Sequence, residues 1–173
     1  MCPTVKLKVV AAASQDQPIP PDEWDGYFAA PPQLQVNFAG QGSGQVRVTS
    51  SESGKDVTRS SFFVVEGLYE GEQVELRAQP TGGSTFAGWT GACAGQGNPC
   101  RINITDGEQA VTAIFNPPQY TLSVGFNWNT GYVTSTGGVG GSQISCPPTC
   151  TATFIKGTPV TLQAHYPDAF KGW

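Results

Sequence analysis

The stretch Pro80–Cys100, PTGGSTFAGWTGACAGQGNPC, constrains the fold of this chain more than any other part of its sequence. It places Phe86 and Trp89 on either side of Ala87-Gly88. These rings are the largest apolar groups nearby, so we expect both to turn inward. Glycine has no Cβ, and Gly88 therefore predicts a point where another backbone approaches closely. The stretch predicts a structural core motif made of Phe86, Gly88 and Trp89.

The same motif occurs a second time as FKGW, at the end of the sequence. The segment GTPVTLQA from Gly157 likewise matches GEQVELRA from Gly71, and the two copies are offset by 86 residues, from 71 to 157. Because this period is long for a solenoid, we predict two consecutive domains. The expected core residues of the second motif are Phe170, Gly172 and Trp173.

Composition and hydrophobic pattern favour short strands joined by tight turns. The 173 residues include 22 Gly and 14 Pro, and only 13% are charged, against about 25% in average globular proteins. Leu34, Val36 and Phe38 alternate with polar residues, as in a half-buried strand, and no amphipathic helix pattern is visible. We therefore predict an all-β chain of two tandem small antiparallel domains with sandwich-like packing. The apolar run FFVVEGLY at Phe62–Tyr69 predicts a strand buried on both faces.

The sequence pattern divides the chain into four parts. A leading N-terminal strand at 1–13 is followed by a Pro-rich connector at 14–33, a complete β repeat at 34–116 and a truncated second repeat at 117–173. The connector contains PDEWDGYF, whose acidic residues allow a calcium or ligand loop. Their spacing follows no known oxygen-ligand loop, so we favour a solvated linker whose aromatic residues pack on a neighbouring domain.

Four of the five cysteines form two short-range pairs, Cys93 with Cys100 and Cys146 with Cys150. Disulfides at these pairs are typical of an oxidising, extracytoplasmic compartment. A zinc site usually draws on pairs spaced C-x2–4-C, and only CPPTC comes near that spacing, so we expect no metal. CPPTC also lacks the two-residue spacing and the βαβ setting of a thioredoxin-like redox motif. Cys2 is left over, as a free thiol or as half of an intermolecular bond.

Several function classes have no support in the sequence. It contains no G-x-S-x-G elbow, no H-E-x-x-H motif, no phosphate-cradling loop and a single histidine, so we expect no catalytic residues and no cofactor. A net charge of −4 argues against nucleic acid or an anionic membrane as the main partner. No apolar run is long enough to span a bilayer. We therefore predict that the chain is not an enzyme.

One segment of the second repeat carries a candidate ligand-binding surface. FNWNTGY replaces the small residues of the first hairpin with aromatic and amide side chains. Aromatic faces stack on pyranose rings while amides hydrogen-bond sugar hydroxyls, so a sugar platform is one interpretation. We favour the other, in which Trp128 packs on the adjacent domain or caps the hairpin. The candidate residues are Asn127, Trp128, Asn129 and Tyr132.

The order of these motifs resembles a known family. GS-x-F-x-GW-x-GAC at Gly83–Cys93, V-x-L-x-A before it and VTA-x-F at the end of the unit are similar to the divergent internalin-type B-repeat. The resemblance covers Leu34–Phe115 as a complete repeat and Tyr120–Trp173 as a truncated one. The first unit departs from the C-x3-C pattern of the family at Ser60 and Val64, which match the two cysteines of CPPTC.

The resemblance carries expectations about location and role. Such repeats form tandem arrays in bacterial surface and secreted proteins, which implies an extracellular or cell-surface location. It implies a non-catalytic structural module, that is, a spacer, stalk or fibre-forming subunit, and it also allows a β-grasp-like arrangement. The alternatives are a carbohydrate- or host-ligand-binding adhesin module and an accessory domain of a secreted hydrolase.

The truncated second repeat predicts a sheet that lacks strands and exposes unpaired backbone. The leading segment CPTVKLKVV alternates apolar and polar residues and has no evident place in the first repeat. One hypothesis is head-to-tail self-association, in which this strand completes the second repeat of a neighbouring subunit by β-augmentation and builds fibres. The other is that the sequence is a fragment of a longer protein. The predicted contact residues are Cys2, Val5, Leu7 and Val9.

Overall fold

The structure is a computed structural model, and it describes residues 31–125, 131–139 and 142–165. Within these ranges the chain forms thirteen strands and no α-helix, which confirms the predicted all-β class. The same ranges accordingly hold no helix that could cross a membrane. The strands are β1 (Gln33–Ala39), β2 (Ser43–Thr49), β3 (Asp56–Arg59), β4 (Phe63–Val65), β5 (Gln73–Thr81), β6 (Thr85–Gly91), β7 (Cys100–Asn103), β8 (Glu108–Asn116), β9 (Gln119–Ser123), β10 (Tyr132–Ser135), β11 (Ser145–Cys146), β12 (Thr151–Ile155) and β13 (Leu162–His165).

The first unit, residues 33–116, packs two four-stranded sheets face to face. One sheet has the order β4-β1-β8-β6 and the other β3-β2-β5-β7. Alternate residues of each strand point into the space between the sheets, because a strand has a two-residue period. In β2, for example, Val46 and Val48 are fully buried while Arg47 is exposed. The core residues are Leu34, Val36, Val46, Val48, Val65, Leu68, Val74, Leu76, Ala78, Trp89, Cys93, Cys100, Ile102, Ile104, Val111, Ala113 and Phe115.

β1 lies in the interior of its sheet, where it pairs with β4 on one side and β8 on the other. The β1–β8 pairing is parallel and runs along the whole of β1, from Gln33 opposite Glu108 to Ala39 opposite Ile114. Every other ladder among the described residues is antiparallel. The parallel pairing arises because the chain passes through the second sheet between these strands and returns in the same direction. It places the first and last strands of the unit side by side.

The apolar run FFVVEGLY does not form the strand that we predicted. Only Phe63–Val65 is extended, as β4 at the edge of its sheet. Val65 and Leu68 are buried, whereas Phe62 and Tyr69 are 57% and 61% exposed. The prediction of a strand buried on both faces was wrong, because an unbroken apolar run carries no period that shows which side chains point inward.

The second unit, residues 119–165, repeats the first five strands of the first unit. β9 pairs with β12 as β1 does with β4, and β10 pairs with β11 and β13 as β2 does with β3 and β5. Among the described residues, β6, β7 and β8 have no counterpart in this unit. Its core consists of Ile144, Cys146, Ala152 and Phe154, with Leu122, Val124, Cys150, Val160 and Leu162 partly buried around them.

Several sequence predictions concern residues outside the described ranges. They are the leading strand at 1–13, the connector up to residue 30 and the second core motif. The candidate residues that fall there are Cys2, Val5, Leu7, Val9, Phe170, Gly172 and Trp173.

Candidate functional site

The core motif lies on β6, which carries a β-bulge. Phe86 is opposite Phe115 on β8 and Gly88 is opposite the next residue, Ile114, so Ala87 is the extra residue of the bulge. In a regular strand, residues three apart point to opposite faces, and one extra residue brings them back to the same face. Phe86 and Trp89 therefore both point into the core, where their rings meet edge to face with centroids 5.0 Å apart.

Gly88 has a different role from the one that we predicted. A Cβ added there would meet no atom within 4 Å, so no backbone approaches it closely. Its φ is +144°, a conformation that residues with a Cβ rarely adopt. Glycine is therefore required by the backbone of the bulge, and the prediction of a close backbone contact was wrong.

Close approach does occur at the glycine-rich first hairpin, between β1 and β2. A Cβ added at Gly44 would overlap the ring of Phe115. A cleft of about 390 Å³ opens beside this contact. None of the residues that line it is titratable, so the cleft offers no ionisable side chain as a general acid or base. The lining residues are Phe38, Ala39, Gly40, Gly42, Ser43, Gly44, Ser60, Thr81 and Phe115.

The loop after the motif is fastened at three points. Cys93 and Cys100 form a disulfide with their Cα atoms 5.9 Å apart, and both are fully buried. The indole Nε1–H of Trp89 donates to the carbonyl oxygen of Gly97 at 3.1 Å. The Asn98 side chain donates to the carbonyl oxygen of Ala78 at 2.7 Å and accepts from its amide at 2.9 Å. Asn98 thereby takes the place of a neighbouring strand beside β5.

Both disulfides lie where the chain passes from one sheet to the other. Cys93 follows β6 and Cys100 begins β7 in the opposite sheet. In the second unit, Cys146 and Cys150 are joined between β11 and β12, with their Cα atoms 4.4 Å apart. Each bond therefore joins the two sheets of its own unit at a crossing, although the crossing is a different one in each unit.

Glu72 lies just before β5, and it is fully buried. The Ser50 hydroxyl donates to its carboxylate at 2.7 Å, and the backbone amides of Tyr69 and Ser53 donate at 2.9 and 3.2 Å. Burial opposes ionisation, but these hydrogen bonds outweigh it and hold the pKa of Glu72 below its usual value. The carboxylate thus joins the β2–β3 turn to the β4–β5 loop.

The exposed face of the second sheet carries two groups of ion pairs. Arg47 Nε donates to Asp56 at 2.8 Å, and this hydrogen bond lowers the pKa of the Asp56 carboxyl and raises the pKa of Arg47. Glu75 accepts from Arg101 at 2.6 Å and from Arg77 at 3.2 Å. The hydrogen bond from Arg101 lowers the pKa of Glu75 most, and the hydrogen bond from Arg77 lowers it further. Within the described ranges, no three His, Cys, Asp or Glu residues are placed to hold a metal ion.

Only one residue of the candidate sugar platform lies within the described ranges. Tyr132, at the start of β10, is 48% exposed, and its ring stacks on that of His165 with centroids 4.3 Å apart. Thr134 Oγ1 lies 2.9 Å from Nε2 of the same histidine. Asn127, Trp128 and Asn129 lie outside the described residues, so the sugar platform stays a hypothesis.

Sequence reasoning missed two of the residues that hold the first unit together, Glu72 and Asn98. A signal for Glu72 was available, because it precedes Val74 and Leu76 in the same two-residue alternation, and alternate residues of a strand share a face. An acidic residue in phase with an inward-facing series indicates a buried carboxylate. For Asn98 no comparable signal exists, since Asn98 lies in a loop and its partner Ala78 is 20 residues away on β5.

The comparisons with known proteins concern the first unit. Residues 34–119 match the family model described as the divergent InlB B-repeat domain. This segment contains the bulged motif, its disulfide and the buried carboxylate. No curated protein and no solved structure was found to match the chain. Through residues 34–119, the chain therefore belongs to the divergent InlB B-repeat domain family, as the order of its motifs predicted.

Proposed function

We propose that this chain is a non-catalytic structural module, a spacer, stalk or fibre-forming subunit that acts on the bacterial surface or outside the cell. One observation carries the proposal: two units whose first five strands pair in the same way follow each other along the chain, each with a disulfide at a sheet crossing. A disulfide stabilises a module by restricting its unfolded state, and such bonds persist in oxidising compartments. Family membership supports the assignment to bacterial surface repeats.

The polar groups of the first unit support a structural role. The Glu72 carboxylate is occupied by three hydrogen bonds, and Asp56 and Glu75 are paired with arginines. A general acid or base needs a perturbed carboxyl or imidazole that faces a substrate cleft. These carboxylates instead serve contacts within the protein, and the cleft beside Gly44 is lined by residues that do not titrate.

The test sets the spacer role against the adhesin role. The chain is titrated with a panel of glycans while tryptophan fluorescence is followed, with Trp128→Ala as a parallel sample. We expect no saturable change in fluorescence in either protein. A saturable response that Trp128→Ala abolishes would overturn the spacer assignment in favour of a carbohydrate-binding module.

Head-to-tail self-association is the more specific form of this proposal. In the first unit, β8 occupies the side of β1 that faces away from β4. Among the described residues, β9 pairs only with β12. We propose that the leading strand of a neighbouring copy pairs there by β-augmentation, since Val5, Leu7 and Val9 alternate as the inward residues of β8 do.

Deleting residues 1–12 tests this assembly. We expect light scattering to show concentration-dependent assembly of the chain and a monomer after the deletion. Cys2→Ser serves as the control, since it removes only the thiol and should leave strand pairing intact. Assembly that survives the deletion, or a chain that stays monomeric at high concentration, would rule out strand donation.

A further inference from the structure

The first unit is entered and left through two strands that lie side by side. The chain enters β1 at Gln33 and leaves β8 at Asn116, and β9 of the second unit begins at Gln119. Because β1 and β8 are parallel neighbours, these two points lie at opposite ends of the pair. Tension along the polypeptide therefore slides the two strands past each other along their length.

We infer that the β1–β8 ladder is a mechanical clamp, which keeps the first unit folded when the chain is stretched. Its biological use rests on the spacer role proposed above. A single backbone hydrogen bond contributes little net stability. In sliding geometry the bonds of a ladder are strained together and must break together, whereas in peeling geometry they break one after another. The barrier to forced unfolding, which sets the unfolding rate under load, is therefore higher in the sliding geometry.

Contacts at both ends and along the ladder strengthen this clamp. The Gln33 amide donates to the Gly107 carbonyl oxygen just before β8, and the Gly42 amide donates to the Phe115 carbonyl oxygen beyond the end of β1, each at 2.9 Å. The Asn37 side chain donates across to the Val111 carbonyl oxygen at 3.4 Å. β4 and β6 flank the pair on either side, which limits access of water to the ladder bonds.

The buried side chains of both strands oppose sliding as well. Leu34 and Val36 on β1, and Val111 and Ala113 on β8, are all 0% exposed. Close-packed side chains of this kind interlock, so that movement along the strand axis needs many contacts to break at once. The clamp thus combines a backbone ladder with a packed core layer beneath it.

A change of pulling direction tests the clamp in one and the same protein. An attachment tag is inserted at Asp106, which is exposed in the turn before β8 and close to the start of β1 through the bond from Gln33 to Gly107. Pulling this variant between its N- and C-termini slides β1 against β8, whereas pulling between its N-terminus and the tag peels them apart. We expect a severalfold lower unfolding force for the first unit in the peeling direction. Equal forces in the two directions would overturn the inference.

A matched pair of core variants keeps the inference testable if the insertion prevents folding. Val111→Ala and Val74→Ala each remove two methyl groups from a fully buried site, the first on β8 and the second on β5 in the other sheet. Both variants should lose a similar amount of stability in urea unfolding. Only Val111→Ala should markedly lower the unfolding force between the termini. The same loss of force in both variants would refute a clamp at β1–β8. Neither result depends on the glycan titration, so the clamp and the spacer role can fail separately.

Discussion

The two units share the pairings of their first five strands but differ in the closure of their cores. Val74 and Leu76 are completely buried in the first unit. Their counterparts 86 residues later, Val160 and Leu162, are only partly buried. In the first unit β6 and β8 cover the core with Trp89 and its neighbours, and these strands have no counterpart among the described residues of the second. Five strands are thus enough to form the shared pairings. In the first unit, the core is closed by β6, which carries the Trp89 motif, together with β8.

The same pair of cross-strand positions also carries different side chains in the two units. Gln45 and Gln79 are opposite each other on β2 and β5, joined by an amide hydrogen bond of 2.8 Å. The equivalent positions on β10 and β13 hold Tyr132 and His165, whose rings stack. Both pairs are partly exposed, so either chemistry can stabilise the same pairing of strands.

Removing the largest side chain of the motif tests how far the first unit depends on its closed core. Trp89→Ala should lower the free energy of unfolding by about 3–5 kcal/mol, because it leaves a cavity beside Phe86. Urea unfolding measures the loss, and hydrogen exchange assigns it to the first unit. Thr90→Ala, exposed on the same strand, is the control and should change stability by less than about 0.5 kcal/mol. If Trp89→Ala is as stable as the parent, core closure does not explain the difference between the units.

The two disulfides should stabilise their units to different extents. Replacing Cys93 and Cys100 by serine should cost about 2.5 kcal/mol and replacing Cys146 and Cys150 about 2 kcal/mol, because loop-closure entropy grows with the enclosed loop. The bonds span 7 and 4 residues respectively. Calorimetry on the two double variants tests this order. A larger loss in the second unit would contradict the loop-entropy explanation.

The buried carboxylate distinguishes the first unit from the second, where Thr158 occupies the position equivalent to Glu72. Glu72→Gln should lower stability at neutral pH by about 1–3 kcal/mol, since it weakens three hydrogen bonds to a buried charged group. Thr158→Ala, at an exposed position, should change stability by less than about 0.5 kcal/mol. Equal effects at the two positions would show that the carboxylate adds nothing particular to the first unit.

The effect of Glu72→Gln should also depend on pH. Burial raises the pKa of Glu72 and the hydrogen bonds lower it further than burial raises it, so the folded pKa lies below the unfolded value of 4.5. The stabilisation is therefore complete above the unfolded pKa and is lost as the pH falls through the folded pKa. The stability difference between the parent and Glu72→Gln should stay constant from about pH 7 to about pH 5 and shrink as the pH falls from about 5 to about 3. A difference that stays constant over this range would disprove the linkage.

The smallest expected effect concerns the cross-strand pair Tyr132–His165, which stands where the first unit has Gln45 and Gln79. Tyr132→Ala should lower the stability of the second unit by about 0.2–1 kcal/mol, the usual contribution of such a pair. Gln45→Ala, at the equivalent position of the first unit, should have an effect within the same range. Thermal unfolding of both variants makes the comparison. A much larger loss for Tyr132→Ala would mean that its ring supports more than the stack on His165.

The sequence by itself determined which faces of several strands are buried and, through the order of its motifs, which family the first unit belongs to. Side chains alternate along a strand with a period of two, so the inward positions of β2 and β5 can be read directly from Val46, Val48, Val74 and Leu76. The motif around Trp89 recurs 84 residues later, from 89 to 173, and its recognition required no knowledge of contacts. These features depend on residues that are close together in the sequence, so the sequence alone reveals them.

Only the tertiary structure decided which strands are neighbours and what the special residues do. Nothing in the alternation of β1 or β8 shows that Gln33 lies opposite Glu108 in a parallel ladder. The inward turn of Phe86 and Trp89 was predicted, but its cause is the bulge at Ala87, which appears only when β6 is aligned with β8. The physical reason is that side-chain period specifies a buried face, whereas the partner of each strand depends on how all the strands share one core.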